Sequence, residues 1–309
     1  MGLLDGRVAI VTGTSRGIGV EIARRLLEEG ASVVGCSRRS LERVPFLEGL
    51  EDLPGAAERA AHHACDQRDP EQIDAFVTRV AERFGRIDIL INNAGGTVPT
   101  PHAEEVPELV ARIEGSEPSA DPFLRTARFH AFSIQNNLIG PLWFAIRVCR
   151  EMKKQQTPGS IVNISSGASH PAGSPTLVSY GAAKAGLNHM TRSLAEEWGP
   201  QVRVNCLALG ATVTRNFRRL VLSEDDPDGA RYFGKVPLRR GGEPREVANA
   251  CLFLCSGQAD YINGTTIEMD GGMLPGVLYE PGIQQIERML EASATHGADP
   301  GKPRPGGSS

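Results

Sequence analysis

The chain has 309 residues, enough for one large α/β domain or two small ones. Hydrophobic residues make up 40% and charged residues 23%, an ordinary balance for a globular protein. The formal net charge of −4 offers no basic field for a phosphate backbone, and no apolar run reaches the roughly 20 residues of a membrane span. Nucleic acid and membranes are therefore not expected partners, and the absence of a secretory signal pattern predicts a cytoplasmic location.

Strands and helices are predicted to alternate along the first third of the chain. A β-branched run at 7–12 is typical of a buried strand, and apolar residues at helical spacing predict a helix over 18–29. A second strand is expected at 31–36, a weaker one at 60–65, a helix at 70–84 and a strong strand at 87–91.

The same alternation is predicted for the rest of the chain. Helices are expected at 129–154, 179–198 and 244–255, and strands at 160–165, 202–207 and 265–269. Such an order favours an α/β fold with a doubly wound parallel sheet of Rossmann type. We expect one domain over 1–280, with an insertion at about 97–128 after the fourth strand. The extension 281–309 is expected to be disordered after about 296.

The six cysteines are scattered and lie mostly in apolar stretches, which is typical of reduced core residues. Cys251 and Cys255 are four residues apart and could share a helix face. A metal site would need further ligands nearby, and the sequence offers none, so no metal is expected.

A glycine-rich segment follows the first predicted strand and opens the first helix. Gly13, Gly17 and Gly19 stand in the order G-x-x-x-G-x-G, where backbone N–H groups at a helix N-terminus can meet a pyrophosphate. This spacing differs from the common G-x-G-x-x-G pattern. By itself the segment also fits a simple glycine-rich connector.

Polar and small residues follow later strands as well. Asn92-Asn93-Ala94-Gly95 comes after the strand at 87–91, and by itself fits a cofactor-lined edge and an Asn-containing turn equally well. Tyr180 and Lys184 are four apart on a predicted helix and share one face. A neighbouring ammonium favours a phenolate, so this pair could exchange a proton at neutral pH. Ser165 and Ser166 end the strand at 160–165, and the Ser166 hydroxyl could hold a substrate oxygen.

These motifs, in this order, resemble the short-chain dehydrogenase/reductase family in its common single-domain form, from about Leu4 to Gly272. The matching residues are Thr12-Gly13-x-x-x-Gly17-x-Gly19, Asp66, Asn92-Asn93-Ala94-Gly95, Asn137-Leu138-x-Gly140, Ser166, Tyr180-x-x-x-Lys184, Asn205 and Asp270-Gly271-Gly272. Leu209-Gly210 stands where the family usually has Pro-Gly. The Ser166-to-Tyr180 spacing is one residue longer than expected, which keeps Ser165 as a second candidate.

The resemblance implies a role for each catalytic position. Tyr180 would be the general acid/base, Lys184 would hold the nicotinamide ribose and lower the tyrosine pKa, and Ser166 would orient the carbonyl. Asn137 would support a water in a proton relay to Lys184. The cofactor site would comprise Gly13, Ser15, Arg16, Gly17, Ile18, Gly19, Ser37, Arg38, Asp66, Asn93, Ala94, Gly95, Tyr180, Lys184 and Thr214, with Asp66 at the adenine, Asn93 near the adenosine ribose and Thr214 at the carboxamide.

The end of the second strand bears on the choice of cofactor. A carboxylate there would accept hydrogen bonds from the adenosine ribose of NAD(H), but Ser37 and Arg38 occupy the position, and Arg16 could approach from the phosphate loop. Two guanidinium groups suit a 2′-phosphate, so NADP(H) is expected over NAD(H). The alternative is that these arginines simply point into water.

The expected function is hydride transfer between a nicotinamide and the carbon of a ketone or secondary alcohol. Other reactions of the family, on a C=C bond or as an epimerase, stay open, as does an inactive nucleotide-sensing or scaffold protein. The substrate is expected to be a small carbonyl or alcohol compound, with pocket walls from 167–178 and 211–236. We also expect a homo-oligomer, a tetramer or a dimer, using Trp143, Phe144, Ile146, Leu187, Met190 and Leu194.

Overall fold

A computed structural model gives the fold, and it describes residues 2–96, 121–171, 177–215, 217–218, 222 and 226–273. Its seven strands form one parallel sheet in the order β3-β2-β1-β4-β5-β6-β7. The strands are β1 (Val8–Thr12), β2 (Ser32–Ser37), β3 (Ala60–Ala64), β4 (Ile89–Asn92), β5 (Gly159–Ser166), β6 (Val202–Leu209) and β7 (Thr266–Met269). The doubly wound α/β prediction is confirmed.

Helices connect the strands and cover both faces of the sheet. They are α1 (Ile18–Glu28), α2 (Ala56–Arg59), α3 (Pro70–Phe84), α4 (Pro122–Ile134), α5 (Gly140–Met152), α6 (Val178–Trp198), α7 (Ala230–Phe233) and α8 (Pro244–Cys255). The residues at the two ends of α3 explain where that helix begins and ends. Asp69 caps α3 by accepting hydrogen bonds from two backbone N–H groups, Pro70 begins that helix, and Gly85 closes it in the left-handed conformation.

Two apolar cores lie on opposite faces of the sheet. One joins the sheet to α3, α5 and α6 and includes Phe76, Phe144 and Leu187. The other joins it to α1 and α8 and includes Ile22 and Val247. The central strands β1 and β4 are buried along their whole length, as expected for parallel strands covered on both sides.

The order in which successive strands are added to the sheet reverses between β1 and β4, although all the strands are parallel. The strand order runs from β1 through β2 to β3 on one side and from β4 through β7 on the other. In an open α/β sheet such a switch leaves a crevice beyond the carboxyl ends of the strands, where ligands bind. The loops after β1, β2, β3, β4 and β5 all meet at this edge.

The predicted helix at 129–154 is wrong in two respects. The helical segment begins earlier, at Pro122 after the capping side chain of Asp121, so residues 122–128 belong to α4 and not to the insertion. It is also interrupted by a π-helical turn, Gln135–Ile139, before α5 begins. The remainder of the proposed insertion, 97–120, lies outside the described residues, as does the extension after 273.

Several apolar residues expected at a subunit interface pack inside the protein instead. Phe144, Leu187, Met190 and Leu194 belong to the core between the sheet and its helices. Ile146 is exposed and Trp143 is half-buried. The described cysteines are free thiols, and all but Cys255 are buried. Among the described helices, none is both long and apolar enough to cross a membrane.

Candidate functional site

The loop between β1 and α1 has room for an anion at the start of the helix. Gly17 precedes Ile18 at the helix N-terminus and has no side chain to cap the first N–H groups. Those N–H groups have no partners within the helix, which makes the turn suitable for a phosphate. A Cβ added at Gly17 would have only Thr214 Cγ2 near it, at 3.7 Å, so the backbone there faces open space.

The other two glycines bring the loop against its neighbour after β4. A Cβ at Gly13, where φ is +76°, would lie 2.8 Å from the Cα of Ala94, and one at Gly19 would overlap the carbonyl oxygen of Gly13. The Thr12 hydroxyl accepts hydrogen bonds from the backbone N–H groups of Asn93 and Ala94, at 3.0 and 2.8 Å. These contacts form a close-packed glycine cradle that fits a dinucleotide pyrophosphate.

Asn93 has a clear structural contact within this cradle. Its Nδ2 donates to the carbonyl oxygen of Thr12 at 2.9 Å and lies 3.4 Å from that of Gly13. The Asn93 side chain therefore joins the loop after β4 to the loop between β1 and α1. Its contacts lie with this loop pair, whereas the resemblance implied a role near the adenosine ribose.

The ends of β2 and β3 form the far end of the site. The Ser37 hydroxyl donates to the carbonyl oxygen of Arg39 at 3.0 Å, and the arginines of this segment are exposed. Asp66 follows β3 and forms an ion pair with Arg68 at 2.6 Å. Burial raises the pKa of Asp66, but the hydrogen bonds and charge of Arg68, together with the charge of Arg38, lower it below its ordinary value.

Ser166, Tyr180 and Lys184 meet at the carboxyl end of β5. Ser166 is the last residue of that strand, and Tyr180 and Lys184 lie one turn apart near the start of α6. Tyr180 lies close enough to the Ser166 side chain for that side chain to lower the pKa of the phenol, and Lys184 Nζ lies 5.7 Å from the centre of the Tyr180 ring. Ser165, the second candidate, instead donates to the Lys184 carbonyl oxygen inside the protein.

Burial affects the two ionisable groups of this arrangement in opposite directions. Burial raises the pKa of Tyr180, and the Ser166 side chain only partly offsets that rise, so the lowering by Lys184 that the resemblance implies is not observed. Burial lowers the pKa of Lys184 to about 8, while its Nζ donates to the carbonyl oxygen of Ile164 at 2.8 Å. Because a neutral phenol and a weakly held ammonium proton lie near each other, the pair is suited to proton transfer.

Asn137 is fully buried within the π-helical turn and faces the loop after β4. Its Oδ1 accepts a hydrogen bond from the Gly96 N–H at 2.9 Å, and its Nδ2 lies within hydrogen-bond distance of the Gly96 and Ser133 carbonyl oxygens. A Cβ at Gly95 would lie 2.7 Å from Asn137 Oδ1 and 3.5 Å from Lys184 Nζ. The π turn, a feature often found at functional sites, thus brings Asn137 close to Lys184.

An apolar cluster borders the site on the side of β6. Thr214 Oγ1 accepts a hydrogen bond from the Phe217 N–H at 3.0 Å, and the ring of Phe217 contacts those of Tyr232 and Phe233. Burial in this cluster raises the pKa of Tyr232 to about 12. The described part of the pocket wall expected at 211–236 therefore includes three aromatic side chains that pack on one another. Of the other wall, residues 172–176 lie outside the described residues.

Sequence reasoning missed the residues that connect these parts. Gln67 Nε2 donates to the Asn136 carbonyl oxygen at 2.6 Å and to that of Ala94 at 3.2 Å. His130 Nδ1 lies 2.9 Å from the hydroxyl of Ser179, the residue before Tyr180. These contacts join elements that are far apart in the sequence, so the only available signal was position next to Asp66 or Tyr180.

Comparison with known proteins places these features in a family. Residues 13–274 match the family model described as enoyl-(acyl carrier protein) reductase. The peroxisomal 2,4-dienoyl-CoA reductase of Danio rerio is 36% identical over 293 residues, which cover 93% of this chain and 86% of that protein. The 3-oxoacyl-(acyl-carrier-protein) reductase of Thermotoga maritima is 33% identical over 276 residues, 88% of this chain and 99% of that protein.

Solved structures of similar fold carry nicotinamide cofactors. A 7α-hydroxysteroid dehydrogenase with NADH and 7-oxo glycochenodeoxycholic acid is 28% identical, with a TM-score of 0.71 over 89% of this chain and 98% of that one. A short-chain dehydrogenase from Burkholderia cenocepacia with NADP is 28% identical, with a TM-score of 0.70 over 87% and 98%. Since the match extends over most of the chain in sequence and in fold, this protein belongs to the short-chain dehydrogenase/reductase family of NAD(P)-dependent oxidoreductases.

Proposed function

We propose that this enzyme interconverts a ketone and a secondary alcohol, with NADP(H) preferred over NAD(H). The observation that carries the proposal is the arrangement of Ser166, Tyr180 and Lys184 at the carboxyl end of β5. Hydroxyl, phenol and ammonium groups lie together there, beside the glycine cradle. An inactive scaffold protein would not need to keep these three groups together.

The proposed chemistry divides between the cofactor and the protein. Bound NADPH, held by the glycine cradle and by Lys184, would supply hydride to the carbonyl carbon. The Ser166 hydroxyl holds the carbonyl oxygen, and the Tyr180 hydroxyl donates its proton to that oxygen. The carbonyl thereby gains a hydride and a proton and becomes an alcohol, and Tyr180 recovers its proton from solvent. In the oxidation direction the phenolate of Tyr180 accepts the alcohol proton.

Lys184 supplies the charge that this proton transfer requires. Burial raises the pKa of Tyr180, so the phenolate needs a nearby cation to form. With a pKa of about 8, Lys184 is still mostly an ammonium ion at neutral pH. Its Nζ lies 5.7 Å from the tyrosine ring, close enough to stabilise the phenolate in a buried site.

The expected substrate is an apolar ketone or the matching alcohol. The aromatic side chains of Phe217, Tyr232 and Phe233 pack together next to Thr214, and a substrate pocket walled by this cluster would favour apolar compounds. Two compared proteins named above act, by their names, on 3-oxoacyl and hydroxysteroid compounds, which are also largely apolar.

The preference for NADP(H) rests on charge at the adenosine end. Ser37 stands at the end of β2 in place of a carboxylate, Arg38 follows it directly, and the side chains of Arg16 and Arg38 are exposed. Guanidinium groups bind a 2′-phosphate through charge-assisted hydrogen bonds. Known relatives use either cofactor, since one compared structure contains NADP and another NADH.

A second candidate reaction is reduction of a C=C bond. Its support is the 36% identity to the zebrafish 2,4-dienoyl-CoA reductase over 93% of this chain, together with the name of the matching family model. The Ser166–Tyr180–Lys184 arrangement favours carbonyl chemistry, because the Tyr180 proton is positioned for an oxygen held by Ser166.

The test is a set of rate measurements on the purified enzyme, following nicotinamide absorbance with NADPH and with NADH. Apolar ketones, 3-oxoacyl thioesters and a 2,4-dienoyl-CoA are compared. We expect turnover of a ketone, with a higher kcat/KM for NADPH. Turnover of the dienoyl thioester alone would favour the second candidate, and a higher kcat/KM for NADH would contradict the cofactor preference.

A tyrosine substitution tests the mechanism itself. Tyr180→Phe should lower kcat by about 10²-fold or more, the usual size of a general acid contribution, and leave the Kd of NADPH within about twofold. Tyr261→Phe is the matched control, because Tyr261 is fully exposed and its substitution should change neither value. A Tyr180→Phe enzyme with the kcat of the Tyr261→Phe enzyme would contradict the mechanism.

A further inference from the structure

Arg68 fixes the orientation of the Asp66 carboxylate after β3. Its Nε donates to Asp66 Oδ1 at 3.0 Å, and its Nη2 donates to Oδ2 at 2.6 Å. The backbone N–H of Arg68 also donates to Oδ1 at 3.0 Å. A guanidinium bound through two nitrogens sets the plane of the carboxylate as well as its position. The Asp66 side chain remains 21% exposed, so it can accept a further hydrogen bond at its open side.

Arg68 is itself held from the opposite side by α4 and the π turn. Its guanidinium lies 4.8 Å from the centre of the Phe132 ring. The carbonyl oxygen of Arg68 accepts a hydrogen bond from Gln135 Nε2 at 3.2 Å. A cation over an aromatic face and a bidentate ion pair together leave this arginine little freedom. Arg68 therefore lies fixed between Asp66 and the segment that carries Asn137.

We propose that Arg68 is a positioning residue for cofactor recognition: it presents the Asp66 carboxylate to the 6-amino group of adenine. The inference rests on the proposed function and on the position of Asp66 at the adenine, which the resemblance to the family implies. An ionised carboxylate accepts hydrogen bonds and donates none. It therefore suits the amino group of adenine and opposes the carbonyl oxygen that hypoxanthine carries at the same position.

The experiment measures binding of NADPH and of its hypoxanthine analogue, in which the 6-amino group is replaced by oxygen. Kd values from titration calorimetry are compared for the wild type and Arg68→Met, which keeps an apolar chain over Phe132. The wild type should bind NADPH more tightly than the analogue. In Arg68→Met the Kd of NADPH should rise about tenfold, the loss expected for one charge-assisted hydrogen bond, and the two Kd values should converge.

Three further variants separate positioning from a general loss of structure. Arg83→Met is the matched control, because Arg83 also lies 4.8 Å over a ring, that of Phe84, at the end of α3. It should leave both Kd values unchanged. Arg68→Lys keeps the positive charge but cannot form the two parallel hydrogen bonds to Asp66. Its ratio of the analogue Kd to the NADPH Kd should lie between those of the wild type and Arg68→Met. Asp66→Asn should abolish the preference for NADPH over its hypoxanthine analogue. The double variant Asp66→Asn/Arg68→Met should show the same ratio of Kd values as Asp66→Asn alone.

The possible results distinguish a wrong role for Arg68 from a wrong adenine contact for Asp66 or a wrong catalytic role for Tyr180. An unchanged ratio of Kd values in Arg68→Met would overturn the role of Arg68. A wild type that binds both dinucleotides equally, with Asp66→Asn unaffected, would overturn the adenine contact and the inference with it. A Tyr180→Phe enzyme that still turns over would overturn only the catalytic mechanism.

Discussion

The ammonium group of Lys184 is almost completely removed from solvent, and burial lowers its pKa to about 8. An unfolded chain would hold this proton up to the ordinary lysine pKa of about 10.4. Between these two values the unfolded state binds more protons than the folded state. The free energy of unfolding should therefore rise with pH in this window as far as Lys184 is concerned, and below pH 8 the folded protein carries the cost of a buried charge.

Replacing this residue tests that cost directly. Lys184→Met keeps the alkyl chain and removes the charge, so we expect a higher free energy of unfolding at pH 7, by about 1–2 kcal/mol, together with loss of turnover. The gain should shrink at pH 9.5. Urea unfolding at both pH values measures it. A variant less stable than the wild type at pH 7 would mean that the ammonium group stabilises the fold.

Single residues differ in how far the sequence reveals their roles. Tyr180 and Lys184 could be found because their spacing on a helix is itself the signal. The preference for Ser166 over Ser165 came from the resemblance to the family, because the strand period alone does not say which side chain faces Tyr180. Arg68 could not be found in this way, since its partners Asp66 and Phe132 come together only through the packing of α4.

At the scale of elements, the sequence pattern does not predict the π-helical turn between α4 and α5. A π turn shifts the apolar spacing by a single position within an otherwise helical pattern, and so short a shift does not separate two helices in the sequence, which therefore predicts one helix at 129–154. The start of α4 did have a signal. Asp121 followed by Pro122 is a typical N-cap and first helical residue, and the Asp121 carboxylate accepts hydrogen bonds from the N–H groups of Phe123 and Leu124.

The segment 97–120 lies between two anchored ends. Gly96 at one end is held by Asn137 through hydrogen bonds of 2.9 and 3.1 Å, and Asp121 at the other end caps α4. Because Gly96, the described residue before this segment, is bound to Asn137, we expect the segment to affect substrate binding. Long connections in α/β proteins are often functional.

A replacement of 97–120 by a short glycine-serine linker tests this expectation. The KM of the ketone should rise at least about fivefold, while the Kd of NADPH changes less than about twofold, because the cofactor contacts lie in loops that remain intact. Steady-state rates and calorimetry give the two values. Equal changes in both, or none in either, would count against a role of the segment at the substrate.

At the scale of the whole molecule, the fold followed from the sequence because parallel strands are continuous apolar runs separated by amphipathic helices. The sequence predicts all seven strands of the sheet, with small differences in their bounds. The predicted catalytic residues lie at the carboxyl end of the sheet. The outer faces were harder to predict. In α6, Leu187 and Leu194 line the core, because a helix packed on a sheet buries most of its large apolar residues there.

We still expect a homo-oligomer, with a tetramer favoured over a dimer, and the outer face of α5 as one contact. Ile146 is 38% exposed on this helix, next to the half-buried Trp143. An apolar side chain in that position can be covered by a second copy of the chain. A lysine there would leave a charge to be desolvated on association, so Ile146→Lys should reduce the mass measured by light scattering at micromolar concentration.

The opposite face of the sheet supplies the control. Leu3 is 48% exposed and lies near the end of α1, where its backbone N–H donates to Glu29. Leu3→Lys should keep the mass of the wild type, because it adds the same charge away from α5. A monomeric wild type would contradict the oligomer, and an unchanged mass for Ile146→Lys would place the contact on another face. Since α5 begins at the π turn that holds Asn137, loss of assembly should also lower kcat if subunit contacts stabilise that turn.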